Sequence, residues 1–223
     1  MTHARTIRMP IRHSVARTFA ALARGLVPVA PIIAIVMAAA ATGRPAAAQS
    51  ASRPDPRTLC AAAIARAERD YDLPPHLLGA IAKVESGRFD AATRETFAWP
   101  WTVTARGKGR FLPTRAAAMA EIARLQARGV RNIDVGCMQI NLAYHGDAFA
   151  DAAQALAPVR NAAYAARFLR RLRAQWGSWT RAMGNYHSDT PRLSGPYRAK
   201  VTRIWFAERR RAARARRQSA AGS

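Results

Sequence analysis

The sequence predicts a mainly α, single-domain protein with one small β-hairpin, and three observations point there. Apolar residues recur at helical spacing in most segments beyond residue 56, apolar and polar residues alternate once, in Trp101-Thr102-Val103-Thr104, and about 175 residues remain when an N-terminal leader is set aside. That length suits one domain with a sizeable core, and no internal repeat divides it.

The leader is read from Arg5, Arg8, Arg12, Arg17 and Arg24, followed by an apolar run, Leu26 to Ala41, that Pro28 and Pro31 interrupt. Ala46-Ala47-Ala48 before Gln49 fits a small-x-small cleavage pattern, so residues 1–48 read as a signal peptide. A retained anchor is the alternative, but the run is shorter than the ~20 residues a membrane span needs. No other stretch would span a bilayer, so no stable membrane span is expected after signal removal. Residues 49–56 then form a linker, 57–200 the domain, and 201–223 a basic C-terminal helix or tail.

Within the domain, Cys60, Ile64, Ala67 and Tyr71 share a face opposite charged residues, which predicts an amphipathic helix over 57–71. Pro74 and Pro75 open a second helix whose apolar face, Leu77, Leu78, Ile81 and Val84, runs to Glu85, with Gly87 as its stop. The alternating stretch at Trp101, the turn Gly107-Lys108-Gly109 and Arg110-Phe111-Leu112 make the hairpin. Pro113-Thr114 starts a helix with Met119, Ile122 and Leu125 on one side, ended by Gly129, and residues 132–135 form a short extended piece. Asn161 is read as the cap of a helix through Leu172, Trp179 to Tyr186 as another, and Tyr197 to Arg217 as a basic closing helix.

The formal charge is +23, of which six arginines lie in the leader with no acid, leaving +17. Six more, Arg209, Arg210, Arg211, Arg214, Arg216 and Arg217, crowd the C-terminus. Such a surface suits nucleic acid, anionic lipid or a carboxylate-bearing wall polymer, and export argues against nucleic acid. A solvated end without a specific partner is the plain alternative for the tail. The two cysteines, Cys60 and Cys137, form an even count in an exported chain, which predicts a disulfide; two buried thiols are the alternative. His76, His145 and His187 lack metal-ligand spacing, so neither a metal nor another cofactor is expected.

The chemistry concentrates at Lys83-Val84-Glu85-Ser86-Gly87 and at Gly136-Cys137-Met138-Gln139-Ile140-Asn141. A glutamate in the last turn of an apolar helix meets the negative end of the macrodipole and little water, and both favour its protonated form. That suits a general acid acting on a glycosidic bond, a reaction that ordinarily uses a second carboxylate. Asp90, Glu95 and Asp134 are the nearest candidates, but none has a setting like that of Glu85. A substrate hydroxyl that attacks its own anomeric carbon would let one glutamate act first as acid and then as base, and muramic acid carries such a group at C6. Ser86 has no His and Asp placed to activate it, which disfavours a serine hydrolase.

From about Cys60 to Tyr197 the chain resembles the lytic transglycosylases with the soluble-lytic-transglycosylase, or goose-lysozyme-like, domain. The resemblance is carried by Leu77-Leu78-x-Ala80-Ile81-x-x-x-Glu85-Ser86, Gly136-x-Met138-Gln139-Ile140-Asn141 and Ala182-x-x-x-Tyr186. It implies a lysozyme-like fold and a periplasmic enzyme that cuts the β-1,4 bond between N-acetylmuramic acid and N-acetylglucosamine, leaving a 1,6-anhydro ring. Glu85 would be its acid/base. Ser86 would steady the carboxylate or the muramoyl group, Met138, Gln139 and Asn141 would line the sugar site, and Tyr186 would lie close to the acid. The substrate's acetamido group would stabilise the transition state. Ordinary polar turn residues are the plainer reading of Gln139 and Asn141. Of Trp99, Trp101, Tyr144, Trp176 and Trp179, at most two should reach the cleft, the rest being core.

Two departures stand out. Cys137 occupies a position that is leucine-like in the family, a change that a disulfide to Cys60 would explain, and the family's Tyr-Asn-Ala-Gly is here Tyr186-His187-Ser188-Asp189, which leaves the role of His187 open. The Trp99–Val103 hairpin and the Asp134–Asn141 run resemble an exported branch tied to envelope-spanning secretion, conjugation or flagellar machines. The rival readings are a muramidase that uses water and a non-catalytic cell-wall-binding assembly module.

Overall fold

The structure is a computed structural model that describes residues 54–222. The expected signal peptide and the first part of the linker lie outside the described residues. Helix α1 (Pro56–Asp70) begins with a proline at its first position, and the Asp55 carboxylate accepts a bond from the Arg57 amide. Its buried side is Cys60, Ala63, Ile64 and Ala67. Helix α2 (Leu77–Glu85) starts later than Pro74–Pro75 because His76 takes a left-handed conformation (φ 68°). The Glu68 carboxylate of α1 compensates by accepting from the amides of His76 and Gly79 at 2.9 and 3.1 Å. Leu77, Leu78 and Ile81 are wholly buried, and each stabilises this placement by roughly 1.5–3 kcal/mol.

At the end of α2 the chain turns sharply through Ser86 and Gly87. A Cβ on Gly87 would lie 2.1 Å from the Lys83 carbonyl oxygen, so close approach, not a positive φ, is why glycine follows the acid. Strands β1 (Gly87–Asp90) and β2 (Glu95–Ala98) then pair antiparallel in a hairpin the sequence does not announce, since Arg88 and Phe89 are both exposed. The predicted hairpin is β3 (Thr102–Ala105) with β4 (Lys108–Phe111). Its turn is Arg106-Gly107, both at positive φ (52° and 72°), one residue earlier than expected; such a pair matches the twist of the flanking strands.

Helix α3 (Arg115–Ala127) is capped by the Thr114 hydroxyl, and β5 (Ile133–Val135) and β6 (Ile140–Asn141) complete a four-stranded antiparallel sheet of order β4-β3-β5-β6. Short helices α4 (Leu142–His145) and α5 (Ala152–Leu156) precede α6 (Pro158–Trp176), α7 (Trp179–His187) and α8 (Pro191–Ala221).

Asn161 is not a helix cap. Pro158 opens α6, and Asn161 lies one turn inside with its side chain wholly buried. The closing helix is longer than predicted, starting at Pro191 and running on past Pro196, so the division drawn at residue 200 falls within α8, where Val201 is fully buried.

Two cores result. The larger gathers the inward faces of α1, α2, α6, α7 and α8, with Leu78, Ile81, Leu169, Met183 and Val201 among its members. The smaller joins the four-stranded sheet to α3 and α5 through Trp101, Val103, Ile122, Val135 and Leu156. The chain passes from one to the other at Gly136, since Val135 belongs to the smaller core and Cys137 to the larger. A Cys60–Cys137 disulfide ties that crossing to α1, closing a separation of 77 residues. On the chain-entropy account such a link stabilises by about 4.5 kcal/mol. This is a mainly α, lysozyme-like domain with small antiparallel sheets. Among the described residues no helix is long and apolar enough to cross a membrane.

Candidate active site

Glu85 ends α2, where the last carbonyls of the helix face outward and the dipole disfavours negative charge. It opens on a cleft of about 410 Å³ whose lining includes Gln139, Asn141 and Asp134 from the crossing and its strands. Phe168 of α6 with Tyr186 and His187 of α7 line it too. The Glu85 carboxyl is only partly accessible, and its pKa is raised from 4.5 to about 7. Burial is the main cause, and the nearby negative charge of Asp134 adds to it. A hydrogen bond from Tyr197 and the positive charge of Lys200 pull the other way without cancelling the rise.

The Tyr197 hydroxyl, carried by α8, donates to Glu85 Oε1 at 2.6 Å. Burial and the adjacent carboxylate hold the Tyr197 pKa well above its ordinary value, so the phenol stays a donor. The ring of His187 stacks on that of Tyr197, with centroids 4.7 Å apart and planes 6° from parallel. Tyr197 is a site residue that the sequence reading left in the closing helix. The available signal was the spacing of Tyr197, Val201, Ile204 and Trp205, an apolar stripe on an otherwise arginine-rich segment.

The crossing is held from beneath by Asn161. Its Oδ1 accepts from the Met138 amide at 2.8 Å, and its Nδ2 donates to the carbonyls of Val135 and Ala155 at 3.0 and 2.8 Å. Gly136 sits above it at φ 81°, where a Cβ would come within 2.7 Å of Asn161 Nδ2. Glycine is therefore required here both by backbone conformation and by space. Ser86 ties the crossing to α2: its hydroxyl donates to the Cys137 carbonyl at 2.7 Å.

A hydrophobic helix ending in a half-buried, high-pKa glutamate, facing a polar loop across a cleft, is the arrangement to compare with known proteins. The family model for the transglycosylase SLT domain matches residues 62–198. The chain belongs to this family. Comparison with curated proteins and with solved structures gives no match. Membership in the SLT family carries a lytic transglycosylase activity on peptidoglycan, and with it an extracytoplasmic place of action.

The structure brings together most of the residues that the SLT resemblance singles out. Glu85, Gln139, Asn141 and Tyr186 share the cleft. Gln139, at φ 48°, spends its amide protons on the carbonyls of Gly136 and Thr102 at 3.1 and 3.3 Å. Asn141 donates to Asp134 Oδ1 at 2.8 Å and to Asn132, while its own Oδ1 caps α4 through the amides of Ala143 and Tyr144. Tyr186 donates to the Met138 carbonyl at 2.9 Å, so the phenol bound to the acid is Tyr197, not Tyr186. Ser86 and Met138 are buried, and neither lines the cleft. Of the five aromatics weighed for sugar stacking, Trp99 and Trp101 are core and Tyr144 lies at the cleft, 78% exposed. Among the three candidate second carboxylates, Asp134 lines the cleft, whereas Asp90 and Glu95 pair with Arg57 and Arg211.

Proposed function

We propose that this protein is a periplasmic lytic transglycosylase in which Glu85 alone serves as acid and then base. The supporting observation is the Glu85 carboxyl itself, with a pKa of about 7 in a cleft able to seat a glycan. Protonated Glu85 gives its proton to the oxygen bridging N-acetylmuramic acid and N-acetylglucosamine as the bond from C1 to that oxygen breaks. The muramoyl C6 hydroxyl oxygen then bonds to C1, and its proton passes to the Glu85 carboxylate. The acid is regenerated, a 1,6-anhydro ring forms, and no water is consumed. Tyr197 stabilises the carboxylate in the interval between the two transfers, through a charge-assisted bond.

In this reading Gln139 presents its side-chain carbonyl oxygen to sugar N-acetyl and hydroxyl groups, Asn141 holds Asp134 and the start of α4 in place at the cleft, and Tyr144 offers an open ring face at the rim. Ser86 and Met138 act from beneath the surface. The serine fixes α2 to the crossing, and the Met138 backbone links Asn161 to Tyr186. Residues 1–48 would direct export, consistent with a substrate outside the cytoplasm.

One observation favours a second reading, a muramidase. Asp134 lines the same cleft and is close enough for its charge to raise the Glu85 pKa, so it is placed to activate a water. Digestion of purified sacculi followed by mass analysis decides between them, because anhydro ends are lighter by one water than reducing ends. We expect anhydro ends. A Glu85→Gln variant that clears sacculi as fast as the parent protein would refute Glu85 as the acid, whereas sacculus binding without clearing by the parent itself would leave the non-catalytic, wall-binding reading.

A further inference from the structure

The C-terminal half of α8 forms a second concavity that shares no lining residue with the cleft. It measures about 630 Å³, with Pro74 and Pro75 before α2 among its lining residues and Trp205, Phe206 and Ala213 contributed by α8. The groove is built into the fold. Trp205 Nε1 donates to the Pro75 carbonyl at 2.9 Å, the Glu208 carboxylate pairs with Lys83 of α2 at 2.6 Å, and Arg211 pairs with Glu95 of β2 at 2.5 Å. These contacts fasten the basic segment to the body of the domain, where the sequence reading allowed a solvated tail.

The charges of this segment fall into two sets. Arg211 is neutralised within the domain. Arg209, Arg210 and Arg216, which line the groove, have no carboxylate within 4.0 Å among the described residues. Arg209 lies over the rings of Trp205 and Phe206, 5.4 and 5.9 Å from their centroids, and Phe206 is 44% exposed. An apolar trough edged by three unneutralised guanidinium groups fits a ligand that is acidic and carries apolar side chains.

We propose that this groove binds an acidic segment of a partner protein, with glutamate or aspartate side chains on the arginine edge and an aliphatic or aromatic side chain against Trp205 and Phe206. The chain's own N-terminus does not supply it, since residues 1–53 contain seven arginines and no Asp or Glu. A second copy of the mature chain, at +17 once the six leader arginines are set aside from +23, is repelled rather than drawn in. A bilayer surface is flat on this scale and does not fill a trough. Peptidoglycan stem peptides carry carboxylates but lack a large apolar side chain for the mostly apolar wall.

The test uses the mature chain and a fluorescently labelled peptide in which glutamates alternate with leucine and phenylalanine, read by polarisation at two salt concentrations. Comparators are the peptide with lysine for glutamate, an all-glutamate peptide, and phosphatidylglycerol vesicles. Phe206→Ala and the pair Arg209→Glu/Arg216→Glu should each weaken the mixed peptide about tenfold or more, with sacculus digestion unchanged. Binding no tighter than that of the lysine peptide overturns the proposal. So does equal binding of the all-glutamate peptide or the vesicles together with indifference to Phe206→Ala, which would show a charged surface alone. Loss of digestion in step with binding in every variant also overturns it, since the groove would then be only a support of the catalytic fold.

Discussion

Replacing Glu85 by glutamine should abolish glycan cleavage and, at alkaline pH, make the protein more stable. The amide keeps the shape of the side chain and still offers Tyr197 an acceptor, so the substitution removes the ionisable proton and little else. The magnitude follows from linkage. In the folded protein Glu85 titrates at about 7 and in the unfolded chain near 4.5. Between those values the native state holds a proton that the unfolded state has released, so stability falls as pH rises across that window and stays low above it. A separation of about 2.5 units at about 1.4 kcal/mol each amounts to roughly 3 kcal/mol at pH 8, and to almost nothing at pH 4. For a domain of this size that is a midpoint shift of about 6–12 °C.

The assay is urea or thermal unfolding of both proteins at pH 4 and pH 8. Contributions from other titrating groups are common to the two and cancel in the difference. The variant should match the parent at pH 4 and exceed it at pH 8. A stability difference that is the same at both values would show that the Glu85 carboxyl is not desolvated in the native state, and the case for it as a neutral acid would fail.

Three further outcomes can be measured. Tyr197→Phe removes a bond to the ionised form worth about 1.5–3 kcal/mol, so the alkaline limb of the kcat/KM profile should move upward by about 1–2 units; a limb that moves down would contradict the geometry. Asn161→Ala leaves the Met138 amide and two carbonyls without partners in a fully buried position, and should cost about 3 kcal/mol or more in urea titration. Asp134→Asn should lower activity without changing the product, whereas loss of a reducing-end product would favour the muramidase reading.

The helices that bury a continuous apolar stripe were legible in the sequence. α1 and α2 were placed within a few residues because Cys60, Ile64, Leu77, Leu78 and Ile81 sit on one side of each helix and polar residues on the other. The β1–β2 hairpin was not legible, because Arg88 and Phe89 both face solvent and no alternation marks the strand. Asn161 was misread for a more general reason. An asparagine near the start of a helical pattern satisfies amides either at its own helix end or at a loop packed against it, and local sequence does not separate the two. Pro158 three residues earlier was the better start signal.

Tyr197 marks the deeper limit of reading by segment. Charge assigns residues 201–223 to a basic terminus and divides it from the domain at residue 200, yet one helix runs through that division, with Tyr197 supplying the hydroxyl on Glu85 and Trp205 meeting the prolines before α2. A helix can carry a core stripe and a polyvalent cation on the same backbone because its faces recur every 3.6 residues, and averaging over a window blurs the two. The ion pair from Lys83 to Glu208 makes the connection mechanical as well as chemical, since Lys83 stands two residues before Glu85 on α2. The helix that presents the arginine groove is thus the one that holds the Glu85 carboxyl in place, so disturbance of α8 at its packed face should register at Glu85 while disturbance of its arginine edge should not.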